Sequence, residues 1–208
     1  MTEDERHFLL RKLHSLTGVF PLGVFLFEHF YTNAKAMFGP EAFNEAAESL
    51  HKIPYLVGPG EILILAIPIL FHGLYGLVIS STGSVNLQYY PRLHNFFYFL
   101  QRVSGILLLF FIAYHVWNTR LQTLFHGTVI DYQYMAEYFT PTAVKVIYIV
   151  GVLSAVYHLS NGLWSFAIKW GLTTTPRGQR NMFYACMGLF VVMSIVGIRI
   201  IYSFRLAG

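Results

Sequence analysis

Long apolar runs alternate with short polar stretches along this chain. Crossing about 30 Å of hydrocarbon takes roughly 20 mostly apolar residues in a helix. Five segments meet that requirement, at residues 12–33, 57–80, 95–119, 142–168 and 181–204, here called spans I to V. Pro21 interrupts span I and Pro68 interrupts span II; both are tolerated where neighbouring helices satisfy the freed backbone groups. Between spans I and II, PEAFNEAAESLHK brings Phe43, Ala46, Ala47 and Leu50 round at helical spacing with acids between them. A short helix lying on the surface is predicted there. No linker or low-complexity stretch separates a second unit, so residues 1–208 read as a single all-α membrane domain.

Composition narrows the picture. Only 12% of side chains are charged, about half the share of a soluble domain, and the mean hydropathy is +0.52. The net charge of +4 comes without a clustered basic stripe, which argues against nucleic acid as a partner. The single cysteine, Cys186, allows no internal disulfide, zinc ribbon or iron–sulfur cluster held by this chain alone. No glycine-rich fingerprint follows a strand pattern, so no flavin or nucleotide domain is expected. With no dicarboxylate-binding arginine cluster either, the chain is not an enzyme on its own.

The N-terminus, MTEDERHFLLRK, is mixed in charge and lacks a small-residue cleavage site. It reads as a retained cytoplasmic end. Lysine and arginine placement agrees: Arg6, Arg11, Lys12, Arg92, Arg102, Lys169, Arg177 and Arg180 fall inside, against Lys35, Lys52, Arg120, Lys145, Arg199 and Arg205 outside. The expectation is a multi-pass cell-membrane protein, N-terminus in and C-terminus out.

An imidazole in hydrocarbon is costly unless both ring nitrogens are satisfied. Spans I to IV nevertheless carry one histidine each, His29, His72, His115 and His158, at successive separations of 43 residues. Because alternate spans run in opposite directions, depth sorts them. His29 and His115 each lie about four residues, or roughly 6 Å, below the outer boundary. His72 and His158 both fall in the inner half. Two imidazoles at matched depth on facing helices are what a haem b requires: each binds iron through one nitrogen. The outer pair is therefore His29 with His115, and the inner pair His72 with His158. Two haems b are expected within a four-helix bundle of spans I to IV, with span V as a peripheral cover.

The local sequence repeats as well. HSLTG in span I parallels QRVSG in span III, and Gly76 and Gly162 each follow their histidine by four residues. Small residues one turn from a ligand leave room for a broad ring between close helices. The pattern reads as a duplicated two-helix unit.

The segments RKLHSLTGV, LQRVSGI with YHVWNTR, and YHLSNGLWSF with WGLTTTPRGQR resemble the di-haem cytochrome b subunits of succinate dehydrogenase from Gram-positive bacteria. The resemblance covers essentially the whole chain. It implies a membrane anchor in a three-subunit complex of the respiratory chain and tricarboxylic acid cycle. There a flavoprotein subunit oxidises succinate, an iron–sulfur subunit passes electrons on, and this subunit delivers them through two haems to menaquinone. The family pairs the second and fourth spans for the inner haem and the first and third for the outer one, as depth does. Related fumarate reductases run the chemistry in reverse. One such branch has a proton-transferring glutamate two residues before the fourth ligand, where this chain has Val156.

Haem propionates need cationic or hydroxyl partners at the membrane surface. His14, Arg102 and Ser104 are candidates on the inner side, and Asn33, Asn118 and Arg120 on the outer. A quinone site needs an apolar slot, hydrogen-bonding partners and a proton route; Glu61 at the outer start of span II and Glu28 beside His29 are its candidates. Rival readings are an anchor for a fumarate reductase or for another quinone-linked dehydrogenase, and a haem-free transporter. A transporter would bring a polar face along several spans, and these spans show little of one.

Overall fold

The computed structural model describes residues 2–53, 56–84 and 86–206; its regular elements are all helical, and the described residues contain no strand. Helix α1 (Glu3–Val19) opens on a reciprocal cap: Thr2 Oγ1 accepts from Glu5 N, and the Glu5 carboxylate accepts from Thr2 N. Three acids in its first turn suit the positive end of the helix dipole.

Span I, read as one helix over 12–33, is in fact two. Phe20 N donates to Leu16 O, and there α1 stops. Pro21 has no N–H to continue the ladder and pushes the residue before it out of the helical region; Phe20 is extended at φ −128°, ψ 118°. Helix α2 (Leu22–Ala34) then begins anew. A 3₁₀ turn (Lys35–Phe38) leads to α3 (Pro40–His51), the helix predicted over PEAFNEAAESLHK.

Four other segments are long and apolar enough to cross a membrane: 58–82, 93–126, 142–169 and 176–203. They overlap the predicted spans II to V. The first starts as two wide turns, Leu56–Gly60 and Ile62–Ala66, and continues as α4 (Ile67–Thr82). Pro68 therefore stands in the first turn of α4, where its missing N–H is no loss. The others are α5 (Leu93–Asn118), which runs on into α6 (Arg120–His126), then α8 (Thr142–Lys169) and α9 (Pro176–Ser203).

Helix α1 touches α4 and α8, while α5 touches the same two; α9 lies along α8 and also meets α2. Close approach depends on small residues, as expected where lipid removes the hydrophobic drive between helices. A Cβ on Gly197 of α9 would stand 2.5 Å from Val152 Cγ1 of α8 and 3.1 Å from the Phe30 ring of α2.

The largest buried apolar cluster sits at the expected outer end. It joins Ala36 and Phe43 to Tyr132, Met135, Ala136 and Phe139, and to Tyr148, Ile200, Ile201 and Phe204. Helix α7 (Tyr132–Tyr138) supplies its centre. Asp131 caps α7 by accepting from Tyr134 N, Asn44 of α3 accepts from Tyr132 N, and the Tyr132 hydroxyl donates to Ser203 O. The loop helices thus form a packed cap. Phe43 is 5% exposed, so α3 belongs to that core and is more than a solvated surface helix.

Candidate histidine sites between the helices

The four span histidines meet in two pairs. The rings of His29 and His115 are 5.7 Å apart between centroids at 78°, and those of His72 and His158 are 6.1 Å apart at 81°. A metal–imidazole bond of about 2 Å, with roughly 1 Å more to each ring centre, puts coaxial ligand centroids about 6 Å apart. Edge-to-face ring packing covers the same range, so spacing alone does not decide the chemistry. The second ring nitrogen does. A metal-bound imidazole donates its other N–H to a fixed acceptor.

His72 Nδ1 donates to His14 O at 2.9 Å, with Thr17 Oγ1 at 3.4 Å. His158 Nδ1 donates to Gln101 O at 3.1 Å, with Ser104 Oγ also at 3.1 Å. The two hydroxyls donate to those same carbonyls. His115 Nδ1 lies 3.2 Å from the Tyr148 hydroxyl. Among the described residues, none hydrogen-bonds to Nε2 of His72, His115 or His158. At His72 and His158 the partner is a carbonyl, which can only accept, so the tautomer is set to leave Nε2 as a free lone pair; the phenol beside His115 can accept or donate. His29 differs: Asn33 Nδ2 donates to His29 O at 2.8 Å and is 3.4 Å from both ring nitrogens.

The HSLTG and QRVSG repeats are the two inner seats. His14 and Gln101 supply the carbonyl, Thr17 and Ser104 the hydroxyl, and Gly18 and Gly105 the space. A Cβ on Gly18 would stand 2.5 Å from His72 Cε1, and one on Gly105 3.0 Å from His158 Cε1. Gly76 faces His14 Nε2 at 3.1 Å and Gly162 faces Gln101 Nε2 at 3.4 Å. Gly76 and Gly162 were expected to make room for a broad macrocycle; in the structure they lie against the side chains that seat the imidazoles, while Gly18 and Gly105 lie against the imidazoles themselves. The duplication is structural, with one seat on α1 serving α4 and its copy on α5 serving α8.

The outer pair is set differently. Phe25 stacks beside His29 at 5.4 Å, and Phe111 stacks beside His115 at 5.8 Å. Around Tyr148 gather Phe139, Tyr138 and Tyr114. Burial pushes the phenols of Tyr134 and Tyr138 in α7 above the usual tyrosine range, so the cap presents neutral hydroxyls. Tyr138 Oη is buried with no hydrogen-bond partner among the described residues. Tyr148, Phe111 and the cap tyrosines were missed from sequence. The spacing of Tyr132, Met135, Ala136 and Phe139 is a helical signal that could have located α7.

The remaining candidates divide. Arg102 donates to Gly83 O and Ile79 O, closing the end of α4, and its Nε is buried without a hydrogen-bond partner among the described residues. His14 stacks on His72 at 4.0 Å and 12°. Asn118 Nδ2 donates to Tyr114 O, and Asn118 O accepts from the Tyr134 hydroxyl. Glu61 and Arg120, assigned separately to quinone and propionate, form one ion pair at 2.6 Å. Glu28 accepts from Thr32 Oγ1 one turn on. Val156 is wholly buried in α8, a setting for an apolar side chain.

Among the described residues, no group of three or more His, Cys, Asp or Glu stands in ligating geometry. A haem iron asks less of the protein: the macrocycle supplies four nitrogens, so two imidazoles with committed Nδ1 atoms suffice. The inner pair meets that requirement at both rings, and the outer pair meets it in ring spacing and in the engaged Nδ1 of His115.

A family model described as succinate dehydrogenase/fumarate reductase transmembrane subunit matches residues 84–197. The succinate dehydrogenase cytochrome b558 subunit of Bacillus subtilis (strain 168) is 43% identical over 199 residues, covering 96% of this chain and 98% of that protein. The segments SNGLWSF and TPRGQR meet in space, where Trp164 Nε1 donates to Gln179 O at 3.1 Å.

Proposed function

Because this chain belongs to the family of succinate dehydrogenase and fumarate reductase transmembrane subunits, we propose that it is the di-haem cytochrome b anchor of a succinate dehydrogenase. In this reading it is a single domain that crosses the cell membrane five times, N-terminus inside, the paired helices α1 and α2 making the first crossing. It binds a flavoprotein subunit and an iron–sulfur subunit, takes electrons from the latter and delivers them to menaquinone. It does not turn over succinate itself.

His29 and His115 would hold the outer haem, and His72 and His158 the inner one. When bound, each haem would supply a one-electron centre held by its pair of imidazoles. The chain's own work is to fix tautomer and aim. The His14 and Gln101 carbonyls hold the Nδ1–H of His72 and His158, so that Nε2 is the atom presented. Of the propionate candidates, Arg102 has the strongest support, since its buried Nε is free to take an anion. His14, Ser104, Asn118 and Arg120 are weaker, because each is already engaged. For the quinone and its proton, Glu61 paired with Arg120 is preferred over Glu28.

The observation that carries this reading is the recurrence of one pair geometry at two places, with a carbonyl holding Nδ1 at both inner rings. A reduced-minus-oxidised spectrum of the purified protein, with pyridine-haemochrome quantitation, tests it. Two haems b per chain are expected, six-coordinate and unreactive to carbon monoxide. Absence of haem overturns the reading. The family description covers fumarate reduction as well as succinate oxidation, and the same residues serve an anchor working in either direction.

A further inference from the structure

We infer that Tyr148 is the positioning residue of the outer site: its hydroxyl accepts the Nδ1–H of His115, aims Nε2 and sets how strongly that imidazole donates to iron. The inference rests on the reading of His115 as an axial ligand. At the inner pair, peptide carbonyls of a neighbouring helix take the Nδ1 protons. His115 is offered no such carbonyl; its Nδ1 partner is the phenol of α8, 3.2 Å away. With Nε2 committed to a metal, Nδ1 carries the proton, and the phenol oxygen is its acceptor.

The tyrosine is held for this task. It is 5% exposed. Phe139 meets it edge-to-face at 4.8 Å and 84°. Phe111 lies edge-on to it at 5.3 Å and 89°, while stacking beside His115. Gly151, three residues on in α8, admits Phe111 between the helices, since a Cβ there would stand 2.3 Å from that ring. Phe111, Tyr148 and His115 therefore orient one another, and the cap behind Tyr148 keeps the phenol from swinging away.

An acceptor on the distal nitrogen raises the basicity of a ligating imidazole. Deleting it makes the ligand a poorer donor, disfavours the ferric state and raises the midpoint potential. The test is a redox titration, followed optically and by electron paramagnetic resonance, of the purified protein as wild type, Tyr148→Phe and Tyr148→Gln. Tyr148→Phe is expected to keep two haems per chain, with the outer potential raised and the inner unchanged. Tyr148→Gln, which restores a carbonyl acceptor, should return the outer potential toward wild type. Should Tyr148→Phe shed the outer haem, retention by Tyr148→Gln supports the inference, and loss from both overturns it. Unchanged potentials in Tyr148→Phe with both haems present also overturn it, while leaving the di-haem assignment intact. A wild-type protein without haem would instead remove the assignment beneath it.

Discussion

The inner and outer histidine pairs have nearly the same ring geometry, 6.1 Å at 81° and 5.7 Å at 78°, yet they are held by different parts of the chain. The inner rings rest on backbone carbonyls, helped by a hydroxyl and a glycine, in two copies of one five-residue motif. The outer rings rest on side chains: Tyr148 and Phe111 for His115, Asn33 and Phe25 for His29. A carbonyl acceptor survives any substitution that keeps the helix, whereas a phenol is lost with one mutation. The inner site is thus robust in its hydrogen bonding and demanding in its space. The outer site depends on which residues the cap brings to it.

The severest break of this comparison removes the rings themselves. His72→Ala or His158→Ala should abolish the inner haem, halving the haemochrome yield while the outer signal persists. His29→Ala or His115→Ala should do the reverse. Loss of neither haem from the inner substitutions would refute the pairing.

Space comes next. Gly18→Ala forces a methyl against His72, and Gly151→Ala forces one into the Phe111 ring. Overpacking of this kind costs about 1–3 kcal/mol. Gly18→Ala should lower inner-haem occupancy with the outer retained, and Gly151→Ala should lower outer occupancy with the inner retained. Separate quantitation of the two spectral components reads both. Equal damage to both sites from either variant would contradict separate seats.

Least disturbing are the seat hydroxyls. Thr17→Ala and Ser104→Ala each remove one of two groups beside Nδ1 and leave the carbonyls in place, so about 1 kcal/mol each is expected. Thermal denaturation monitored at the haem absorbance should show a small loss of stability with full haem content. Complete loss of the inner haem from Ser104→Ala would mean that the hydroxyl, and not the carbonyl, is the principal acceptor.

What sequence revealed and what it hid follow from the range of each signal. The four histidines were legible because span length and alternating direction convert position along the chain into depth. The HSLTG and QRVSG repeats were legible as repeats, but their purpose was not. Which ring a glycine faces depends on helix rotation, which a pattern of 3.6-residue turns does not fix between helices. Tyr148 lies 33 residues from His115, among many aromatic side chains of similar aspect, and only the packing of α5 on α8 singles it out. Pro21 was noted as an interruption, yet whether a proline bends a helix or ends it depends on the residue before it, and Phe20 is extended. Of the cap helices α3 was predicted, while α7 was overlooked because it is short, though the face it buries follows ordinary helical spacing.

The break at Pro21 divides labour within the N-terminal stretch. Helix α1 carries the seat for His72, and α2 carries His29. At 17 and 13 residues they are about 26 and 20 Å long, each short of the roughly 30 Å of hydrocarbon. Neither half is self-sufficient in lipid, whereas the four later segments are each long and apolar enough to stand alone. Biogenesis would then run against the order of synthesis: the first part to leave the ribosome is the last to settle, drawn in against helices made after it. In the proposed di-haem reading each haem would take something from that late arrival, a ligand from α2 for one and a seat from α1 for the other, and cofactor acquisition would become a checkpoint on complete insertion of the chain.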